Sequence, residues 1–404
     1  MKYHIITYGC QMNINDSQRI TKLLEDSGLK KASLKEADFI VINACSVRQR
    51  VIDRIYAKAK KIPSSKKKIL TGCLLKKDKE NLSPFFDHIL SIEDLYKWGE
   101  IINEIKKEEK RNYFEITPTW EKPTAYIPVM TGCQNFCSYC VVPYVRGPEI
   151  SRDPEDIIKE AKRAIKEGYK EIWLLGQNVN SYKPSFPKLL EEIDKLEGDF
   201  WIRFTTSHPK DFSDDLLKKM KDLPKVTEYL SLPVQSGDNQ VLKEMNRPYK
   251  VEEYKELIKK VKKEIPNITI STDIIVGFPG ESKEAFENTS KLIKEEEFDM
   301  VYIAAFSPRK GTKAGEKEET VSQEEKKRRE KIINQIVKKT ALKRNERFLD
   351  KEVTFLPLKE EGDFVIGKTR EYKTIKVKGE KKEGFQKAKV EEITPWGLKG
   401  IWIK

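Results

Sequence analysis

The chain has 404 residues, 35% of them charged and 38% hydrophobic, which excludes a disordered polyelectrolyte and leaves room for two or three domains with cores of their own. No apolar run approaches the ~20 residues that span a bilayer and no hydrophobic leader pattern opens the chain, so the expected location is the cytoplasm, with no membrane partner. A net charge of +13 favours an anionic partner, nucleic acid first, and six cysteines in a reducing compartment argue for metal thiolates over disulfides.

Residues 4–9 (His-Ile-Ile-Thr-Tyr-Gly) predict a buried strand ending in glycine, with Cys10 directly after it. Residues 16–28 carry Ile20, Leu23 and Leu24 at helical spacing before a glycine stop. A second strand is predicted over 38–43, just before Cys45, and a second helix over 46–62, ended by Pro63. A third strand over 67–71 precedes Gly72 and Cys73. Each of three βα units thus sets one cysteine at the carboxyl end of its strand. In an open parallel sheet those ends share one edge, where ligands bind. Cys10, Cys45 and Cys73 are therefore expected to converge as three thiolate ligands of one cluster, although any one of them alone reads as an ordinary buried cysteine.

A helix is predicted over 95–111, apolar at first and then a solvated charge run, and it closes the first domain; Pro118 and Pro123 mark the join. Strand patterns follow at 125–130, 171–175, 201–206, 229–233, 269–276 and 300–306. Helical patterns lie between them at 154–167, 187–195, 214–221, 251–263 and 283–296. These alternations predict a partial TIM-like (βα)6 barrel with its active site at the carboxyl ends of the strands. Directly after the first of these strands come Cys133, Cys137 and Cys140, spaced CxxxCxxC, with Tyr139 before the last. Three thiolates on one loop suit three corners of an iron–sulfur cube and leave one iron open for chemistry. The other readings are three free cysteines or a structural zinc completed from elsewhere, and no histidine lies near the loop.

Four further strand ends carry polar residues or glycines: Gly176-Gln177-Asn178, Thr205-Thr206-Ser207-His208-Pro209, Pro233-Val234-Gln235-Ser236-Gly237, and Asp273 ahead of Val276-Gly277-Phe278-Pro279-Gly280-Glu281. Singly these are ordinary βα loops; in register they suggest a pocket for a polar small molecule. His208, before a proline, reads as a loop histidine rather than a general base. A long charge-rich helix is predicted over 322–349, packing one apolar stripe (Ile332, Ile333, Ile336, Val337, Leu342) on the barrel. The tail changes to short strands at 351–356, 364–368, 374–377, 386–391 and 400–404, a small antiparallel β-barrel. Residues 366–389 hold nine basic side chains (Lys368, Arg370, Lys373, Lys376, Lys378, Lys381, Lys382, Lys387, Lys389) against Glu371, Glu380 and Glu383. With Tyr372 in the stripe, that composition suits an RNA backbone and a stacked base.

CxxxCxxC with its aromatic resembles the radical S-adenosylmethionine (SAM) superfamily. Nearly the whole chain resembles the methylthiotransferase family: Tyr-Gly-Cys-Gln-Met-Asn (8–13), Asn-Ala-Cys-Ser-Val-Arg (43–48) and Thr-Gly-Cys (71–73) match its three auxiliary-cluster motifs. Its tRNA-modifying, MiaB-type branch is the most similar, through Cys-Val-Val-Pro-Tyr-Val-Arg-Gly (140–147), Leu-Leu-Gly-Gln-Asn-Val-Asn (174–180), Leu-Pro-Val-Gln-Ser-Gly (232–237) and Ile-Val-Gly-Phe-Pro-Gly-Glu (275–281). Ala44 and Lys310 depart from the family's usual threonine and proline. The resemblance implies an α/β architecture in three parts. These are an open parallel methylthiotransferase domain over 1–115, a radical SAM barrel over 119–345 and an RNA-binding TRAM barrel over 346–404.

It implies methylthiolation of carbon 2 of N6-isopentenyladenosine at tRNA position 37, with two [4Fe-4S] clusters and SAM. The cluster on Cys10, Cys45 and Cys73 would hold the sulfur and accept a methyl group from one SAM. The cluster on Cys133, Cys137 and Cys140 would cleave a second SAM to the radical that attacks the adenine. Tyr139, Gln177, Asn178, Ser207, Gln235 and Asp273 are the expected SAM contacts. The expected partners are the tRNA anticodon stem-loop and a low-potential donor such as flavodoxin or ferredoxin, the protein itself being a monomer. Rival readings are the family branches that act on threonylcarbamoyl-adenosine in tRNA or on a ribosomal-protein aspartate, and a non-catalytic iron–sulfur RNA-binding or electron-transfer protein.

Overall fold

The computed structural model describes residues 1–47, 49–107 and 112–403. Three strands, β1 (Lys2–Thr7), β2 (Phe39–Cys45) and β3 (Lys67–Cys73), build the first sheet, with β2 in the middle and two-residue strands Lys30–Lys31 and His88–Ile89 at the edges, all parallel. The near-continuous apolar run of β2 (Phe-Ile-Val-Ile) is what a strand covered on both faces requires. Helix α1 (Gln11–Asp26) begins directly after Cys10, five residues before the predicted start. Polar Asn13, Asn15 and Asp16 hide the helical period, because they are buried by partners in other segments.

The helix predicted over 95–111 is the main departure. Only Leu95–Lys97 (3-10) and Trp98–Ile101 are helical, and 108–111 lie outside the described residues. The chain folds back across Gly99, where a Cβ would stand 2.4 Å from the Lys106 carbonyl oxygen. Ile102 and Ile105 drop into the core while Glu104 pairs with Lys67 at 2.8 Å.

The second domain follows the predicted alternation: β4 (Thr124–Pro128), β5 (Glu171–Leu175), β6 (Trp201–Phe204), β7 (Tyr229–Ser231), β8 (Thr269–Val276) and β9 (Met300–Ala305). They pair in parallel, in chain order, with a single bridge, Ile202 to Val226, joining the two halves. After β4 the layer is completed by α2 (Pro154–Lys166), α3 (Phe186–Asp194), α4 (Asp214–Asp222), α5 (Val251–Glu264) and α6 (Lys283–Glu296). The long helix α7 (Gln323–Asn345) buries Ile333, Ile336, Val337 and Ala341 on this core, but Leu342 is exposed.

The tail is a closed barrel of β10 (Glu352–Glu361), β11 (Phe364–Thr369), β12 (Thr374–Lys378), β13 (Gln386–Thr394) and β14 (Gly397–Trp402). All its pairs are antiparallel except β12 with β14. Its turn 369–373 plugs the amino-terminal mouth of the larger barrel. Tyr372 (φ +66°) packs 4.5 Å from Tyr229 and 5.1 Å from Trp173, ring centre to ring centre. Arg203 donates to the Thr369 and Arg370 carbonyls at 2.8 Å and pairs with Glu171 at 2.6 Å. The sequence reading of Tyr372 as a base-stacking residue is therefore corrected. An aromatic among lysines looks RNA-facing in one dimension, but the aromatic rings that pack on it come from strands 140 or more residues earlier. Arg370 and Lys373 likewise face the larger barrel, paired with Glu228 and Asp299, while Lys378, Lys381, Lys382, Lys387 and Lys389 remain exposed.

Asp299 gathers Lys373 at 2.9 Å, Arg347 at 3.0 Å and Arg344 at 3.4 Å, all at the seam between the two barrels. Asp299→Ala leaves buried cations uncompensated, which costs about 3–5 kcal/mol. The expected result is a clearly lower thermal midpoint of the full chain; an unchanged midpoint would show that the seam carries no such coupling.

Candidate functional site

Cys45 and Cys73 are the last residues of β2 and β3 and stand directly opposite each other in the strand register. The glycine before Cys73 makes that closeness possible: Gly72 has φ +102°, and a Cβ there would lie 2.3 Å from the Ala44 carbonyl oxygen. Cys10 caps the start of α1. Its N–H donates to Asn13 Oδ1 at 3.2 Å, and Asn13 Nδ2 lies 3.9 Å from Cys73 Sγ. Asn13 so bridges the first thiol to the third, and its Nδ2 also donates to Asn43 Oδ1 at 3.2 Å. Among the described residues no three metal-binding side chains are drawn together as for a single ion.

Arg146, nearly fully buried, approaches this trio from the other domain. Its Nε donates to Cys73 Sγ at 2.9 Å and its Nη2 pairs with buried Asp16 on α1 at 2.6 Å. Tyr113 also donates to Asp16, at 2.6 Å. Burial pushes the Cys73 thiol up to about 12 against the pull of Arg146. The second trio has an equivalent partner: Arg247, also buried, lies 3.6 Å from Cys137 Sγ and donates to Tyr249 Oη at 2.7 Å. Burial pushes Cys140 to about 12 as well, and raises Cys133. As free thiols these groups hold their protons, so a metal must displace them on binding.

The N-terminal domain closes over the carboxyl ends of the barrel strands. Met12 on α1 packs with Trp173, Leu175 and Tyr229 inside the barrel, and Asn15 Nδ2 donates to the Tyr126 carbonyl at 2.7 Å. At a second point of the seam Arg309 pairs with Asp78. Between the domains lies a cavity of about 280 Å³. Cys10 opens onto it from one side, and Cys133, Cys137 and Cys140 open onto it from the other. Tyr139, Gln177, Ser207 and Gln235 line it; Asn178 and Asp273 do not. Asn178 instead ties the loop together, donating to Asp211 Oδ2 at 2.7 Å and accepting from the His208 N–H at 3.1 Å. Asp273 sits within β8, where its carbonyl accepts from the Gln235 N–H at 2.9 Å.

Three buried atoms on this wall have no hydrogen-bond partner among the described residues: Gln177 Oε1, Ser207 Oγ and His208 Nε2. Leaving such groups unpaired is costly, so their convergence fits a polar ligand. The backbone is strained at the same wall, with Thr206 at φ +32° and Gln235 at φ +75°. His208 is not the plain loop residue expected from the sequence. Its Nδ1 accepts from the Lys210 N–H at 3.2 Å, which assigns the ring proton to the buried Nε2. Burial, with Arg247 and Lys210 nearby, lowers its pKa to about 2, so the ring is a neutral donor. Arg146 and Arg247 were also not singled out in the sequence. The available signal was a lone charge closing the apolar run Val141–Val145, and another just before Pro248.

A second cavity, of about 500 Å³, lies on the far side of Arg146 and is lined by Met12, Glu93, Tyr96, Phe114 and Arg152 among others. None of the six cysteines reaches it.

The chain matches the family description "Radical SAM superfamily" over residues 127–293 and "Uncharacterized protein family UPF0004" over 2–92. It is 40% identical, over 93% of its length and 86% of the relative's, to the tRNA-2-methylthio-N(6)-dimethylallyladenosine synthase of Caldicellulosiruptor saccharolyticus. The protein of that name from Clostridium tetani is also 40% identical, over 88% and 84% of the two lengths. Among solved structures, the radical S-adenosylmethionine methyltransferase TsrM from Kitasatospora setae superposes with a TM-score of 0.57 at 11% identity, over 78% and 77% of the chains. That likeness bears on the fold alone.

Proposed function

The chain belongs to the tRNA-2-methylthio-N(6)-dimethylallyladenosine synthase family, and we propose that it carries out the reaction in that name: a methylthio group is attached to carbon 2 of N6-isopentenyladenosine, at position 37 of tRNA. The observation that carries this reading is the single cavity where Cys10 of the first trio meets all three cysteines of the second. A reaction that joins a sulfur from one centre to a carbon activated at another needs both to face one substrate.

In this reading Cys10, Cys45 and Cys73 hold one [4Fe-4S] cluster, and Cys133, Cys137 and Cys140 hold the other; all six are thiolates when they do so. When bound, the clusters and SAM supply a sulfur to be methylated and a one-electron cleavage of SAM. The chain's own residues do the rest. Arg146 and Arg247 set a buried positive charge beside one thiolate of each trio. Met12 and Leu175 make the cavity wall apolar and keep water off the reacting carbon. Gln177, Ser207, His208 and Gln235 offer hydrogen bonds to the ribose, adenine and carboxylate of SAM, and Tyr139 packs beside them. Asn178 is a positioning residue that holds the His208 loop. The exposed lysines of the tail barrel suit the RNA backbone. The protein works in this reading as a cytoplasmic monomer supplied by a low-potential electron donor.

The test is direct. Anaerobically loaded and reduced protein is expected to convert SAM to 5'-deoxyadenosine and methionine. A sample holding both clusters that left SAM intact would favour a non-catalytic iron–sulfur protein.

His208→Phe removes the Nε2 donor and keeps the ring's bulk. Losing one hydrogen bond costs about 0.5–1.5 kcal/mol, so the KM for SAM should rise about two- to twelvefold with iron content unchanged. His208→Gln should restore part of it. An unchanged KM in His208→Phe would remove His208 from the SAM site.

A further inference from the structure

The CxxxCxxC loop has an outer face as well as the face that lines the cavity. On it Phe136 and Tyr144 are 49% and 51% exposed, and their rings meet edge to face at 6.3 Å. Phe136 adopts φ +47°, a left-handed conformation that is strained for a bulky residue. Asn246, itself at φ +57°, holds it there by donating to the Asn135 and Phe136 carbonyls at 3.1 and 3.0 Å. Asn246 also lines an open depression of about 590 Å³ with Lys243, Pro248 and Lys250, all exposed. Glu253 lies on this rim too, but its carboxylate is engaged, accepting from the Lys250 N–H at 2.9 Å at the start of α5. Arg247 lines both this depression and the inner cavity and reaches Cys137 Sγ.

We propose that this outer face, which carries Phe136 and Tyr144 and continues through Asn246 into the depression lined by Lys243 and Lys250, docks the small acidic redox protein that reduces the cluster on Cys133, Cys137 and Cys140. The inference rests on the reading that these thiols hold a one-electron centre. Phe136 is bonded to Cys137, so a protein seated on its ring comes within electron-tunnelling reach of the cluster. The step moves one electron from the donor's reduced flavin or iron–sulfur centre to the cluster on the loop; no bond forms or breaks, and no proton has to move. Two exposed aromatic rings with exposed lysines beside them fit a small, weak, charge-steered encounter. An RNA base stacked on the same rings is the competing occupant. The loop and Arg247 separate this face from the cavity where the target nucleotide must enter, and that favours the redox protein. A donor here can deliver its electron while RNA occupies the cavity.

The experiment uses the full chain with both clusters loaded, a purified acidic bacterial flavodoxin and unmodified parent protein as control. Two variants are compared, Tyr144→Ser and the charge reversal Lys243→Glu with Lys250→Glu. Flavodoxin binding is read by quenching of its flavin fluorescence, and cluster reduction by the spin signal after mixing with fully reduced flavodoxin. Both variants are expected to bind flavodoxin and accept its electron about tenfold more weakly at low salt, while SAM cleavage driven by dithionite stays within about twofold of the parent. Unchanged flavodoxin binding and reduction in both variants would overturn the proposal. So would weakened tRNA binding with flavodoxin unaffected, which would assign the face to RNA. Failure of the parent to cleave SAM with dithionite would overturn the cluster reading itself, and the docking inference with it.

Discussion

Cys137→Ala is expected to abolish SAM cleavage while leaving about half of the iron of the loaded protein in place, about four atoms of eight. Cys137 is buried at the centre of the loop, between the other two thiols in sequence, and it is the one that Arg247 approaches at 3.6 Å. Two remaining thiols cannot fix the cluster with one open iron, so SAM loses its anchor and its source of electrons together. The first trio lies in the other domain, Cys10 at the start of α1 and Cys45 and Cys73 at the ends of β2 and β3. Residual iron with a normal iron–sulfur absorbance and no 5'-deoxyadenosine is the predicted pattern. Retained cleavage would show that SAM is activated elsewhere.

Cys45→Ala should give the complementary phenotype: SAM cleavage close to the parent rate and no methylthiolated product. The side chain ends β2 directly opposite Cys73 and does not line the cavity of Gln177, Ser207 and Gln235. Its loss should remove the first cluster and spare the second. Because Cys45 is half-exposed at the carboxyl end of its strand, while Asn43 and Ala44 before it are buried, the fold should survive. Product at the parent level would contradict the assignment of the sulfur to this trio. Together the two variants separate the two half-reactions, which no single loss of activity can do.

Much of this site was readable in one dimension because its ligands follow strand ends. Strands announce themselves by apolar runs such as Phe39–Ile42, and a parallel sheet turns three separate strand ends into one edge. The six barrel strands and the closed tail barrel were legible for the same reason. What escaped was set by tertiary partners. The pairing of Arg146 with Asp16 spans 130 residues, and no local pattern encodes it. The early start of α1 was hidden by polar residues that the barrel buries, and the 95–111 segment was broken by a chain crossing at Gly99. Tyr372 was misread because its ring packs on Trp173 and Tyr229, residues far away in sequence, with Lys368 over it as well. His208 looked like loop chemistry until its Nε2 was found buried on the cavity wall without a partner.

In the proposed function both trios serve one reaction on one nucleoside. The most direct measurement is anaerobic incubation of the loaded, reduced protein with SAM and tRNA carrying isopentenyladenosine, followed by digestion and nucleoside mass spectrometry. The expected result is a methylthio-isopentenyladenosine peak that is absent from Cys45→Ala and Cys137→Ala reactions. Abundant 5'-deoxyadenosine without that peak, and with methylthiolation of threonylcarbamoyl-adenosine tRNA or of the ribosomal protein instead, would contradict it.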